Sequence, residues 1–111
     1  MIKISFAHSL HCITLYANDK IIGMGRITGD NCMFFDLHDI IVDKQYRGQG
    51  LALVIMNNLM QYIKQTGRPG SVVGLMASVG IEGLYEKYGF LKRPNYFLGC
   101  GMTMLYEQIS L

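Results

Sequence analysis

The sequence is short of charge, of cysteine and of long apolar runs, and each shortage removes a class of protein. Only 16% of the residues are charged while half are hydrophobic, which excludes a disordered or tail-like chain and suits a well-buried sheet. The formal net charge of +2 comes without the clustered Lys/Arg stripe of a nucleic-acid binder, so no nucleic-acid partner is expected. Cys12, Cys32 and Cys100 are odd in number and lack CxxC or metal-ligand spacing. They are expected to be reduced thiols in a reducing cytosol, with no disulfide framework and no metal. No apolar run reaches the roughly 18 residues of a membrane span, and the start, MIKISFAHSL, lacks the uninterrupted core of a signal peptide. A soluble, cytoplasmic protein with no membrane partner is expected. With 111 residues, the chain is expected to form a single domain over 1–111.

The patterning that is present describes a mixed domain. His11 to Ala17 alternates around Ile13, Leu15 and Ala17, and Asn18, Asp19 and Lys20 supply turn chemistry before a second β-type run, Ile21 to Thr28, so a hairpin is predicted. Gly29, Asp30 and Asn31 make another turn ahead of a third strand, Met33 to Val42, which carries two aspartates and a histidine. From about Leu51 the apolar residues Ala52, Ile55, Met56, Leu59 and Ile63 recur at helical spacing opposite Asn57, Asn58, Gln61 and Lys64. Thr66 to Gly70 breaks that helix, and Val72 to Ala77 suggests a short, buried, central strand. Ile81, Leu84, Tyr85 and Tyr88 predict a second helix ended by Gly89, and Tyr96 to Ile109 is expected to hold one or two strands. The order implies an α/β domain with a mixed sheet.

The most informative stretch is Ile40 to Gln65, where a strand breaks at Arg47, Gly48 and Gly50 and restarts as the long helix. Such a turn aims backbone N–H groups along the positive end of a helix dipole, and its glycines remove the Cβ atoms that keep a phosphate away. A phosphorylated cofactor is the implied ligand. A P-loop is excluded because no Gly-Lys precedes Ser or Thr, and a dinucleotide fingerprint fails because Leu53 stands where its third glycine belongs.

The turn resembles the acetyl-CoA site of the GNAT acetyltransferase superfamily, Q/R-x-x-G-x-G/A after a strand ending L-x-V. Gln45-Tyr46-Arg47-Gly48-Gln49-Gly50 and Arg47-Gly48-Gln49-Gly50-Leu51-Ala52 both satisfy the pattern, with Ile40-Ile41-Val42 in place of L-x-V. Leu84-Tyr85-Glu86-Lys87-Tyr88-Gly89-Phe90 matches the family's second element, Y-x-K-x-G-F. The resemblance covers about residues 13 to 95, and Arg93-Pro94-Asn95 with the later Gly99-Cys100-Gly101-Met102 is similar to the close of some small bacterial members.

The resemblance implies a fold, a ligand and roles. The fold would be a mixed, mostly antiparallel sheet, splayed at the cofactor site and flanked by helices, with the usual N-terminal helices reduced or absent. Acetyl-CoA would lay its pyrophosphate on the amides of Arg47 to Ala52 and its pantetheine along Ile40, Ile41 and Val42. Gln45, Gln49, Leu51, Ser78 and Lys87 would complete the cofactor contacts, although Ser78 and Ile81 stand where the family often has Asn and Ala. Tyr85 would be the general acid for the departing thiolate; its place on the stripe of Ile81, Leu84 and Tyr88 equally suits a core residue. By alternation Asp36, His38, Ile40 and Val42 share one face of the third strand, with Asp39 on the other. His38 matches a histidine position of arylalkylamine-type members, and with Asp36 beside it would be the base that deprotonates the amine. The implied reaction is acetyl transfer from acetyl-CoA to a primary amine, on a small molecule or a lysine, or else the chain is a non-catalytic acetyl-CoA-binding or interaction protein that has lost turnover. With little N-terminal cover for an acceptor pocket, a homodimer is expected.

Overall fold

In a computed structural model that describes residues 1–110, alternation and helical spacing become elements nearly where the sequence puts them. Strands β1 (His11–Ala17) and β2 (Lys20–Gly29) form an antiparallel hairpin, with Asn18 at φ 55 in its two-residue turn. Strand β3 (Phe34–Val42) runs antiparallel to β2, and β4 (Val72–Leu75) runs parallel to β3, giving the order β1-β2-β3-β4. The chain divides into two compact units, Met1–Met76 and the residues from Ala77 on. The whole sheet belongs to the first.

Helix α2 (Leu51–Thr66) is held to the sheet by its apolar stripe, since Ile55, Met56, Leu59 and Ile63 are all buried. Each contributes about 1.5–3 kcal/mol of burial. The close approach depends on glycine in β2: a Cβ on Gly25 would lie 2.6 Å from Ile55 Cγ2 and 3.1 Å from Leu59 Cδ1. Ile27, Phe35 and Leu37 complete this core. His11, which has no motif partner in the sequence, stacks on Tyr62 of α2 at 4.7 Å, and its Nε2 lies 2.7 Å from Asn58 Oδ1.

Strand β3 departs from simple alternation. Met24 pairs with Ile41 and Arg26 with His38, so Gly25 alone faces Asp39 and Ile40, and Asp39 sits at φ 55. This is a β-bulge, and the extra residue inverts every face assignment after it. Val42 pairs with Gly23, and Ile40 lies 3.5 Å from a Cβ built on Gly25, so both face α2. Asp36 and His38 are exposed on the opposite face, with Ile41 beside them. The expected shared face of Asp36, His38, Ile40 and Val42 is therefore corrected, because alternation assumes no inserted residue.

Four further differences are seen. The first ten residues contain a helix, α1 (Ile2–Ala7), whose six residues are too few to show a period. Strand β4 lies at the edge of the four-stranded sheet and is only partly buried, not central. In the second unit, α3 is shorter than predicted (Glu82–Glu86), with Ile81 at its N-cap. No strand follows it among the described residues: Tyr96 to Ile109 is irregular apart from one 3-10 turn, Tyr106–Gln108. Apolar residues there supply β propensity, but a strand requires a neighbour with which to pair.

Candidate functional site

In the first unit the candidate residues form one continuous path. β4 pairs with β3 only over Phe34 to Leu37, so β3 from His38 to Val42 is not flanked by a paired strand on that side. This is the local form of the expected splay. Ile40, Ile41 and Val42 then run through Asp43 into a 3-10 turn, Lys44–Tyr46, and on to Arg47, Gly48, Gln49 and Gly50 at the head of α2.

The turn is fixed at both ends. Asp43 accepts the Gln45 N–H at 3.0 Å and pairs with Lys20 at 3.3 Å. The bond from the Gln45 amide, followed by Lys20, holds the Asp43 carboxyl below its ordinary pKa. Arg47 turns back so that its Nε donates to the Val42 carbonyl at 3.1 Å, tying the strand end to the turn. Gly48 and Gly50 have φ of 81 and 80, where a side chain is strained. A Cβ at either would meet nothing within 4 Å, so the space before the turn is open. At the start of α2 the Val54 N–H donates to the Gly50 carbonyl at 3.2 Å, and the Leu51 and Ala52 amides lie ahead of it at the positive helix end. An anionic group with oxygen acceptors fits this arrangement.

Asp36 and His38 are exposed neighbours on the other face of the sheet, and among the described residues no hydrogen bond joins them. Asp36 Oδ1 lies 3.1 Å from the position a Cβ on Gly74 would take, so the Asp36 side chain rests close over the β4 backbone. Among the described residues no group of three or more His, Cys, Asp or Glu is arranged to hold a metal ion.

In the second unit the other three candidates lie in or beside one short helix, Tyr85 within it and Ser78 and Lys87 outside its ends. Tyr85 is 6% exposed and meets Phe90 edge-on at 6.3 Å, and burial raises its hydroxyl pKa. Ser78 is exposed ahead of α3 and accepts the Ile81 N–H at 3.3 Å, and Lys87 is exposed at the helix C-cap. Arg26, in no motif of the sequence, is a buried cation in β2. Its signal was a lone arginine in an otherwise apolar β run.

The sequence matches the Acetyltransferase (GNAT) domain family over residues 2–105. The chain belongs to the GNAT acetyltransferase family. It is 31% identical over 98 residues to a protein of Pyropia yezoensis named "Uncharacterized N-acetyltransferase ycf52", covering 85% of this chain and 55% of that protein. This GNAT chain thus spans between 30% and 55% of the length of the curated relatives it matches. Among solved structures it is similar to a protein of unknown function from meticillin-resistant Staphylococcus aureus, named "Probable Acetyltransferase", with 35% identity and a TM-score of 0.88. That match covers 95% of this chain and 77% of the other. A GNAT family protein of Streptococcus pneumoniae shares the fold at a TM-score of 0.80 with 23% identity, over 94% and 76% of the two chains. The mixed α/β sheet with few helices is thus the GNAT fold.

Proposed function

We propose that residues 1–111 act as one N-acetyltransferase domain that transfers an acetyl group from acetyl-CoA to a primary amine by direct attack. The observation that carries this reading is the open Gly48 and Gly50 turn at the head of α2, continuous with the half-paired edge of β3, in a chain of the GNAT family. Acetyl-CoA, when bound, supplies an activated thioester. The amides of Arg47 to Ala52 hold its pyrophosphate, with Gln45, Arg47 and Gln49 as side-chain partners, and the backbone of Ile40, Ile41 and Val42 pairs with its pantetheine arm. Ser78 and Lys87 contact the same cosubstrate.

His38, with Asp36 beside it, removes the proton that would otherwise occupy the lone pair of the amine. Tyr85 returns a proton to the departing thiolate. Burial favours its neutral phenol, so it carries the proton at neutral pH. The protein works in the cytoplasm, which suits three cysteines that are free. The working form is a homodimer. Its support is the apolar surface of the second unit, where Tyr96, Phe97, Met102 and Tyr106 are 95%, 84%, 89% and 84% exposed.

Calorimetric titration with CoA, followed by a free-thiol assay over a panel of primary amines, tests the reading. CoA binds and at least one amine releases free thiol. Tyr85→Phe lowers turnover on the order of a hundredfold or more with CoA affinity nearly unchanged. CoA binding without thiol release for any amine supports a non-catalytic acetyl-CoA-binding protein instead, and no CoA binding overturns both. An unchanged rate in Tyr85→Phe removes that residue from the mechanism.

A further inference from the structure

We infer that Arg26 and Asp39 are positioning residues, whose ion pair holds the bulge that divides β3 into an acceptor half carrying Asp36 and His38 and a cofactor half, Ile40 to Val42. The role assigned to each half rests on the acetyl-CoA reading above. Arg26 is 9% exposed, and a guanidinium so buried requires partners. Its Nε donates to Asp39 Oδ2 at 2.6 Å, one terminal nitrogen donates to Ser9 Oγ at 3.1 Å and the Ser5 carbonyl at 3.4 Å, and its central carbon lies 4.9 Å from the Phe6 ring centre. One side chain thus ties α1 and the residues after it to the single inserted residue of β3.

Asp39 at φ 55 occupies a region that residues other than glycine enter at a cost, and its short polar side chain is among the few that tolerate it. The ion pair offsets that cost, and the carboxylate it engages is committed to Arg26, which sets Asp39 apart from the base. If Asp39 relaxed to an ordinary strand conformation, the bulge would disappear and the parity of Ile40 to Val42 would reverse. Ile40 and Val42 would then turn away from α2, and the edge meant for pantetheine would turn with them. The arginine fixes the relation between the two halves without touching either substrate.

Three variants with CoA affinity and thermal midpoint measured on each test this. Asp39→Val cannot hold a positive φ and Arg26→Met removes the anchor, so both weaken CoA binding by about tenfold or more in protein that still unfolds cooperatively. Asp39→Gly loses less, because glycine takes φ 55 without strain. Lowered midpoints with wild-type CoA affinity in all three would show a merely structural pair and overturn the inference. Failure of the wild type to bind CoA counts against the acetyl-CoA reading. The bulge is then followed by hydrogen exchange in the conservative Arg26→Lys, which also serves where the other variants do not fold. There the Ile40 to Val42 amides exchange about tenfold faster or more while Ile13 and Leu15 of β1 keep their protection. Unchanged exchange at Ile40 to Val42 overturns the inference as well.

Discussion

Residues up to Met76 and residues from Ala77 on are both rich in apolar side chains, yet they use them in opposite ways. In the first unit Ile27, Phe35, Ile55, Met56 and Leu59 are fully buried, because strand alternation and the helical stripe of α2 present them to one another. Among the described residues of the second unit Tyr85 is the buried apolar residue, while Leu91, Tyr96, Phe97, Met102, Met104 and Tyr106 stand exposed. Order does not explain the contrast. Arg93 donates to the Gly99 carbonyl at 2.6 Å, and Asn95 Oδ1 accepts the Phe97 and Leu98 amides at 2.8 and 3.0 Å, so this loop is closed by its own bonds. Hydrophobic residues build a core only where an element's period gathers them on one face.

The contrast sharpens most at a core position. Leu59→Ala empties a fully buried site on α2 and lowers unfolding free energy by about 2–5 kcal/mol in urea titration. A loss below about 1 kcal/mol would mean that the α2 contact is looser than the Gly25 approach implies.

A smaller effect is expected at the β2–β3 turn. Asp30 Oδ1 accepts the Phe34, Cys32 and Met33 amides at 2.9, 2.9 and 2.8 Å. These bonds, Phe34 first, hold its pKa below the ordinary 3.8. A carboxyl lowered in the folded state adds stability that is fully present above its unfolded pKa and is lost as pH falls through the folded value. Urea midpoints of the wild type should therefore fall below about pH 4, and Asp30→Asn should flatten that acid limb. An equally steep limb in Asp30→Asn would assign it to other carboxylates.

The smallest effect belongs to the second unit. Phe97→Ala, at a residue 84% exposed, changes unfolding free energy of the dilute protein by no more than about 0.5 kcal/mol. At higher concentration the same substitution weakens self-association in sedimentation velocity if the apolar surface is the dimer face. A wild type that stays monomeric throughout would remove the homodimer.

How much of this could be read in advance follows the same division. β1 was legible to the residue and α2 nearly so, since Ile13, Leu15, Ile55 and Leu59 each repeat at the spacing of their element. The glycine turn was legible because Gly48 and Gly50 mark backbone that other residues avoid. The bulge was not, because Asp39 is an unremarkable residue in a strand and its positive φ is enforced by an arginine thirteen positions earlier. The stack of His11 on Tyr62 was hidden for the same reason of distance along the chain. In the last section, Tyr96 to Ile109 had strand-like composition, but composition does not specify a partner strand.

The bulge also alters how β3 can be compared between proteins. A strand is written in a two-letter alternation, inside and outside, and Asp39 is one letter too many. Its effect is that of a frameshift in meaning. A relative of equal length whose strand ran without the bulge would align without a gap and still have its inward and outward positions exchanged beyond that point, so the same substitution at Ile41 would strike a surface in one protein and a core in the other.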